Sequence, residues 1–350
     1  MITFHKLAIK EISKEGENAV AILFDIPENL QETYKFIPGQ YITIKKELNG
    51  KKLRRAYSIS SLPSAKNLRI GVKAVDKGQF STYATRELKV GDILEVSEPE
   101  GRFTLQPNPQ NSKSYLAFVA GSGITPILSM IKSVLEIEKN SRFVLVFGNR
   151  SVSETMFFDE ITKLLEAYPK NFFVQFVFSR KAEEEALFGR IDTAVINFIW
   201  NKKFKDFNFD QIFLCGPEPL INLAKEVLAS KGVDPQNVHF ELFTSELGEK
   251  VNEEMLDGKT KVTVILDDET TTFIMDKEQT ILNVALEEGL DPPYSCQGGV
   301  CSTCLAQIKD GHAKMDKNSI LTDDEIEEGL ILTCRAHPTT DSITIDYDEV

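Results

Sequence analysis

The stretch YSCQGGVCSTC, residues 294–304, puts Cys296, Cys301 and Cys304 on one loop in the spacing C-x4-C-x2-C, and Cys334 follows after 29 intervening residues. Four thiolates can hold zinc or an iron–sulfur cluster. Zinc usually takes two close pairs around a tetrahedron. Three cysteines on one glycine-bearing loop, with one distant partner, is the spacing of a plant-type 2Fe-2S centre. Gly298 and Gly299 let the backbone wrap closely and turn N–H groups toward negatively charged sulfur. A zinc knuckle or four buried free thiols are the competing readings. No histidine accompanies the loop, which excludes a Rieske centre.

These four are all but one of the chain's five cysteines, and a cytoplasm would keep them reduced. Charge is skewed in the same direction. Residues 258–350 carry a net −12, whereas the rest of the chain carries −1. A nearly neutral body therefore bears an acidic C-terminal module, the kind of field that steers or repels a partner. With a net charge of −13 there is no basic surplus to neutralise phosphates, so nucleic acid is excluded as the main partner. No apolar run approaches the ~20 residues of a membrane span. The start lacks a secretory signal, and the expected compartment is the cytoplasm.

At 350 residues the chain suits two or three domains. Residues 1–106 read as short strands (19–24, 41–44, 68–75 and 93–96) broken by turn signals, the pattern of a small antiparallel barrel. A polar, proline-bearing hinge follows at 107–114. Strand-like runs at 115–120, 142–147, 172–178 and 211–215 then alternate with helical patterns at 126–138, 153–168 and 218–230. That is a parallel α/β sheet, ending at 243. Residues 244–260 lack periodicity and read as a linker. The final domain, 261–350, opens with strand-like runs at 261–266 and 271–275. A helix at 281–288 follows, N-capped by Thr280, and a second helix starts at Thr322, where Glu325 completes a capping box.

Inside the barrel, residues 53–60 form a strand-like run containing Arg55-Ala56-Tyr57-Ser58. A flavin needs a cation for its phosphate, a flat ring against the isoalloxazine and a hydroxyl near N5. Arg55, Tyr57 and Ser58 supply these, because alternate strand residues share a face. A later strand carries Val72-Lys73-Ala74. In Gly78-Gln79-Phe80-Ser81 the serine can N-cap a helix at 82–88, whose start offers a pyrophosphate seat. An ordinary barrel with a capped helix is the alternative.

The run 115–120 leads into Gly121-Ser122-Gly123-Ile124-Thr125-Pro126 and a helix. Its glycines admit phosphate to the backbone, and Pro126 suits a first helical turn. Pro126 also stands where the usual G-x-G-x-x-G has its third glycine. Leu214-Cys215-Gly216-Pro217-Glu218-Pro219 follows the last buried strand. The second and third strands end at Arg150 and at Ser179-Arg180, not at an acidic residue. A hydroxyl and two guanidinium groups suit a 2′-phosphate, so NADPH is favoured, with NADH the alternative.

In this order the motifs resemble the ferredoxin–NADP reductase superfamily, and residues 260–350 resemble a plant-type ferredoxin domain, which implies a β-grasp fold. The whole chain is similar to oxygenase reductase components, above all those of phenylacetyl-CoA epoxidase and ring-hydroxylating systems. The resemblance implies FAD, with FMN as the form used by the phthalate dioxygenase reductase type. It implies a place for Cys215, Gly216 and Pro217 at the nicotinamide, and a ring or carboxylate near the flavin from Glu241-Leu242-Phe243. A nicotinamide gives two electrons as hydride and a 2Fe-2S cluster takes one at a time, so a flavin must stand between them. Hydride transfer is expected in a pocket shaped by Tyr57, Ser58, Thr125 and Cys215. The electrons then pass to the cluster on Cys296, Cys301, Cys304 and Cys334, and onward to an oxygenase docking near the acidic module. A free-standing reductase of ferredoxin, quinone or other soluble acceptors is an alternative, and a non-catalytic iron–sulfur redox sensor is another.

Overall fold

Alternation of apolar and polar residues builds the first sheet. The computed structural model describes residues 3–48, 50–75, 78–242, 258–266 and 269–350, apart from the side chains of residues 51 and 52. Strands β1 (Phe4–Lys14), β2 (Ala19–Asp25), β3 (Tyr41–Leu48), β4 (Lys51–Ser58), β5 (Leu68–Lys73) and β6 (Ile93–Ser97) form an antiparallel sheet in the order β4-β3-β6-β1-β2-β5. A bridge between Ile59 and Ile70, with the Ser60 N–H donating to the Arg69 carbonyl at 2.7 Å, joins the two edges into a nearly closed barrel. Leu7, Ile9, Ile22, Phe24, Ile42 and Ile70 fill it. Sequence periodicity misses β1, because a bulge between Ile9 and Glu11 breaks its alternation. Helix α1 (Gln79–Arg86) plugs the barrel with Phe80 and Ala84.

The next layer is parallel: β7 (Ser114–Ala120), α2 (Ile124–Ile137), β8 (Arg142–Asn149), α3 (Phe158–Ala167), β9 (Phe172–Phe178), β10 (Leu187–Phe188), α4 (Thr193–Phe198), β11 (Gln211–Gly216), α5 (Glu218–Ser230) and β12 (Val238–Leu242). Sheet order is β10-β9-β8-β7-β11-β12. Leu116 to Val119 are fully buried, as expected for strands covered on both faces. The order reverses between β7 and β11, and ligands of open α/β sheets bind in the crevice outside such a point.

Barrel and parallel sheet lie in one compact unit, Phe4–Phe243. They share a core: Ala19, Ala21, Phe103 and Leu105 pack with Ile127, Met130 and Ile131 of α2. Residues 107–114 are pinned rather than loose. The buried Glu138 carboxylate accepts from the Asn108 N–H (2.9 Å), Asn111 Nδ2 (2.7 Å) and the Tyr115 hydroxyl (2.9 Å). The helix expected at 153–168 starts only at Phe158. Before it, the carbonyls of Ser153 and Glu154 are taken by the Glu17 N–H and Lys73 Nζ of the barrel, each at 3.0 Å. Interdomain hydrogen bonds have displaced the first turns of the helix.

The second unit holds β13 (Lys259–Leu266), β14 (Glu269–Asp276), α6 (Ile281–Glu287), β15 (Leu305–Asp310), β16 (Ala313–Met315), α7 (Asp323–Glu327), β17 (Leu330–Leu332), β18 (Ala336–Pro338) and β19 (Ser342–Asp346). Five strands form a mixed sheet, β14-β13-β19-β15-β17, with β13 and β19 parallel, and Ile281, Val284 and Ala285 of α6 pack on it. This is a β-grasp arrangement. Residues 244–257 of the expected linker lie outside the described residues, and β13 begins inside its last part, at Lys259. The capping box of Thr322 and Glu325 is formed at α7. Thr280 stands at the N-cap of α6 as expected, although its side chain makes no capping bond.

Candidate functional site

Strand β4 presents Arg55 and Tyr57 on one side, while Ser58, at its end, turns toward the parallel-sheet domain. The half-buried Tyr57 ring leans on Phe80 of α1, with centroids 5.6 Å apart at 44°. Burial holds the Tyr57 hydroxyl well above the ordinary phenol range, so it stays protonated. Arg55 Nη1 donates to the Arg54 carbonyl at 2.7 Å. The three motif residues therefore do not share one face. What brings Ser58 to the site is the domain opposite: its hydroxyl donates to Glu241 Oε2 of β12 at 3.4 Å.

Ser81 does not cap a helix beginning at residue 82. The helix starts at Gln79 with Gly78 as its N-cap, and the Ser81 hydroxyl accepts from the Val75 N–H at 3.3 Å. Burial of Phe80 in the barrel core draws the start back by a turn. The first N–H groups of α1, on Gln79, Phe80 and Ser81, have no acceptor within the helix and suit a diphosphate. Val72 is wholly inside the barrel, Lys73 Nζ is engaged by the Glu154 carbonyl, and the Ala74 N–H donates to the Asn18 carbonyl at 2.8 Å. The exposed part of the Tyr57 ring and the first turn of α1 thus fit an isoalloxazine and its diphosphate, whereas the side chains of Val72 and Lys73 serve packing and the interdomain contact.

At the switch point, residues Gly121–Gly123 form a tight turn into α2. A Cβ on Gly123 would lie 2.5 Å from the Cys215 carbonyl oxygen and 3.0 Å from the Gly216 nitrogen, so only glycine lets the two turns touch. Gly216 has φ +149, and Pro217 follows as the N-cap of α5. The Thr125 hydroxyl turns back to the Ser122 carbonyl at 3.0 Å, with Pro126 in the first turn behind it. Cys215 is fully buried and pairs in register with Glu241. Burial, helped by the Glu241 carboxylate, pushes its thiol well up, so it remains a neutral S–H. Ser58, Glu241, Cys215 and the Gly121–Gly123 turn are thus linked through one parallel strand pair. Phe243 lies outside the described residues.

Further along the same sheet edge, the register of β8 and β9 runs past the strands. The Ser179 N–H donates to the Asn149 carbonyl at 3.0 Å, and the Arg180 N–H to the Arg150 carbonyl at 2.9 Å. Arg150, Ser179 and Arg180 are therefore adjacent, with both guanidinium groups exposed. The sequence also hides an ionic group between the domains. Glu160 Oε2 pairs with Arg69 Nη2 and Oε1 with Lys132 Nζ, both at 2.8 Å. No local pattern signals it, since the three residues come from a barrel strand and two separate helices.

In the second unit, the four sulfurs form a chain of contacts. Cys301 Sγ lies 3.1 Å from Cys296 Sγ, while Cys334 hydrogen-bonds with both Cys296 and Cys304. The bonds from Cys301 and Cys334, with backbone N–H groups of Gly298 and Val300, hold the Cys296 thiol well below its ordinary range. Gly299, φ +70, has no room for a side chain: a Cβ would meet the Lys317 carbonyl oxygen at 2.7 Å. Convergent thiols, with N–H groups aimed at sulfur and a loop shaped by glycine, fit an iron–sulfur cluster.

A flavin barrel, a dinucleotide sheet and a ferredoxin-like unit in one chain define an electron-transferring oxidoreductase, and comparison with known proteins agrees. An oxidoreductase FAD-binding domain matches residues 6–105, an oxidoreductase NAD-binding domain 118–226, and a 2Fe-2S iron–sulfur cluster binding domain 264–339. The chain belongs to the family of ferredoxin–NADP reductase-like, NAD(P)H-dependent oxidoreductases that use FAD and carry a 2Fe-2S domain. It is 36% identical to one of the subunits of the 1,2-phenylacetyl-CoA epoxidase of Escherichia coli, over 99% of both chains. It is 30% identical to the ferredoxin reductase component of the 3-ketosteroid-9-alpha-monooxygenase of Rhodococcus rhodochrous, covering 97% of this chain and 96% of that one. Among solved structures, phthalate dioxygenase reductase shares the fold with a TM-score of 0.61 over 98% of each chain, at 23% identity. Among the described residues no helix is long and apolar enough to cross a membrane.

Proposed function

We propose that this chain is the reductase component of a multicomponent oxygenase, taking hydride from NADPH and delivering single electrons to a partner that docks near the acidic C-terminal unit. The observation that carries the reading is the meeting of Ser58, from the flavin barrel, with Glu241 beside Cys215 at the switch point of the dinucleotide sheet. When bound, FAD exchanges electrons in pairs with a nicotinamide and singly with a 2Fe-2S cluster.

The chain's own groups orient and shield that exchange. Tyr57 offers a flat, protonated ring on the barrel side, and Ser58 offers a hydroxyl at the level of the reacting atoms. Gly121 admits the dinucleotide to the backbone, Gly123 lets its turn touch the one after β11, Thr125 braces the turn, and the Cys215 thiol fills the floor without charge. Glu241 holds the Ser58 hydroxyl in place from across the domain boundary. Arg150, Ser179 and Arg180 recognise the 2′-phosphate. Cys296, Cys301, Cys304 and Cys334 ligate the cluster. The cytoplasm, where thiols stay reduced, is the compartment this chemistry suits.

An anaerobic titration followed by visible spectrum tests the core of the reading: NADPH should bleach both chromophores, and a protein bleached only by NADH would remove the 2′-phosphate assignment. Arg180→Ala should weaken NADPH about tenfold while sparing NADH. Turnover with the oxygenase partner should change with ionic strength if the net charge of −12 over residues 258–350 steers docking. Indifference to salt would remove that docking surface.

A further inference from the structure

Asn149 ends β8 at the sheet edge, where the strands open into the crevice. Its Oδ1 and Nδ2 are both buried, and neither has a hydrogen-bond partner. Native folds rarely leave a buried donor and acceptor both unmet, and a missing ligand is one cause. Position narrows the cause. Ala120 pairs with Gly148, so Asn149 stands level with Gly121, the first residue of the glycine turn. Gly121 has φ +57, and the space where its Cβ would stand is open. On the other side, the Asn149 carbonyl holds the Ser179 N–H. Strand alternation sets the Asn149 side chain on the face of Phe147, the one covered by α2.

Asn149 therefore lies between the turn that suits the pyrophosphate and the residues that suit the 2′-phosphate. In an NADP molecule, the adenosine ribose joins those two groups. We propose that Asn149 reads this ribose, its Oδ1 accepting from a ribose hydroxyl and its Nδ2 donating to the 2′-phosphate. The proposal rests on the NADPH reading above and adds a specificity residue to it. An amide serves both partners, whereas a carboxylate in its place would accept from hydroxyls and repel phosphate, which is how acidic residues select NAD in dinucleotide folds.

The test uses the intact holoprotein, with 2′,5′-ADP and 5′-AMP as probes in calorimetric titrations and thermal unfolding alongside. Asn149→Ala should weaken 2′,5′-ADP by about tenfold, the loss of a charge-assisted hydrogen bond. Its melting temperature should be unchanged or higher, since a buried unpaired amide has been removed. Asn149→Asp should weaken 2′,5′-ADP further and lower the ratio of NADPH to NADH turnover. Unchanged affinity in Asn149→Ala overturns the proposal. So does a lowered melting temperature with equal losses for both probes, which marks a structural role. If the wild-type protein binds 5′-AMP as tightly as 2′,5′-ADP, the NADPH reading falls. Asn149 is then judged on 5′-AMP alone: a loss in Asn149→Ala keeps the ribose contact, and no change ends it.

Discussion

The Ser58 hydroxyl lies 3.4 Å from Glu241 Oε2, although 183 positions separate the two residues. One ends a barrel strand and the other sits on the last strand of the parallel sheet, so this contact exists only when the two domains are correctly docked. Ser58→Ala removes the hydroxyl proposed above to stand at the hydride-transfer position. Flavin reduction by NADPH should slow about 10- to 100-fold, the range of one lost hydrogen bond to a charged or reacting group. Stopped-flow absorbance checks this, with the iron–sulfur bands expected to be unaltered.

Gly123 meets the backbone of Cys215 closely enough that a methyl group would stand 2.5 Å from its carbonyl oxygen. Backbone cannot rotate aside as a side chain can. Gly123→Ala should cost about 1–3 kcal/mol in denaturant unfolding and raise the KM for NADPH, because the turn and β11 must part. FAD content should be retained, as the barrel is untouched.

Glu160 holds two cations from the two domains, and all three groups are mostly buried. Removing the carboxylate that both cations share leaves Arg69 and Lys132 facing each other, with Glu15 close enough to offset part of the charge on Arg69. Glu160→Gln should lose about 2 kcal/mol at neutral pH. Burial raises the Glu160 pKa, but Lys132 and Arg69 outweigh it and hold the carboxyl below its ordinary 4.5. A carboxyl depressed in the folded state contributes stability above its unfolded pKa and loses it as pH falls through the folded value. The gap between wild type and variant should therefore be complete at neutral pH and shrink below about pH 4.5. Unfolding curves across that range decide it.

Cys301→Ser should abolish the iron–sulfur absorbance while leaving flavin reduction by NADPH fast, because the thiol belongs to the second unit and the residues of the proposed hydride site to the first. A slowed flavin step in this variant would contradict the order of electron flow.

Some elements are legible from local spacing alone. The cysteine pattern, the glycine turn at 121–123, the capping box at Thr322 and the alternation of strand and helix each depend on residues a few positions apart. Others are not. The helix after β8 starts late because barrel groups take the carbonyls of Ser153 and Glu154. Helix α1 starts early because Phe80 is buried in the barrel. The bulge in β1 erases the period by which a strand is recognised.

Short-range order in the chain thus determined which cofactor chemistry it can support, since cluster ligation and phosphate approach depend on residue type and spacing within single loops. Tertiary structure alone decided which groups face one another across the domain boundary: Ser58 with Glu241, Lys73 with Glu154, and Arg69 with Glu160. Those partners lie from 81 to 183 positions apart, and it is the packing of barrel against sheet, through burial of a shared apolar core, that brings them within hydrogen-bonding distance.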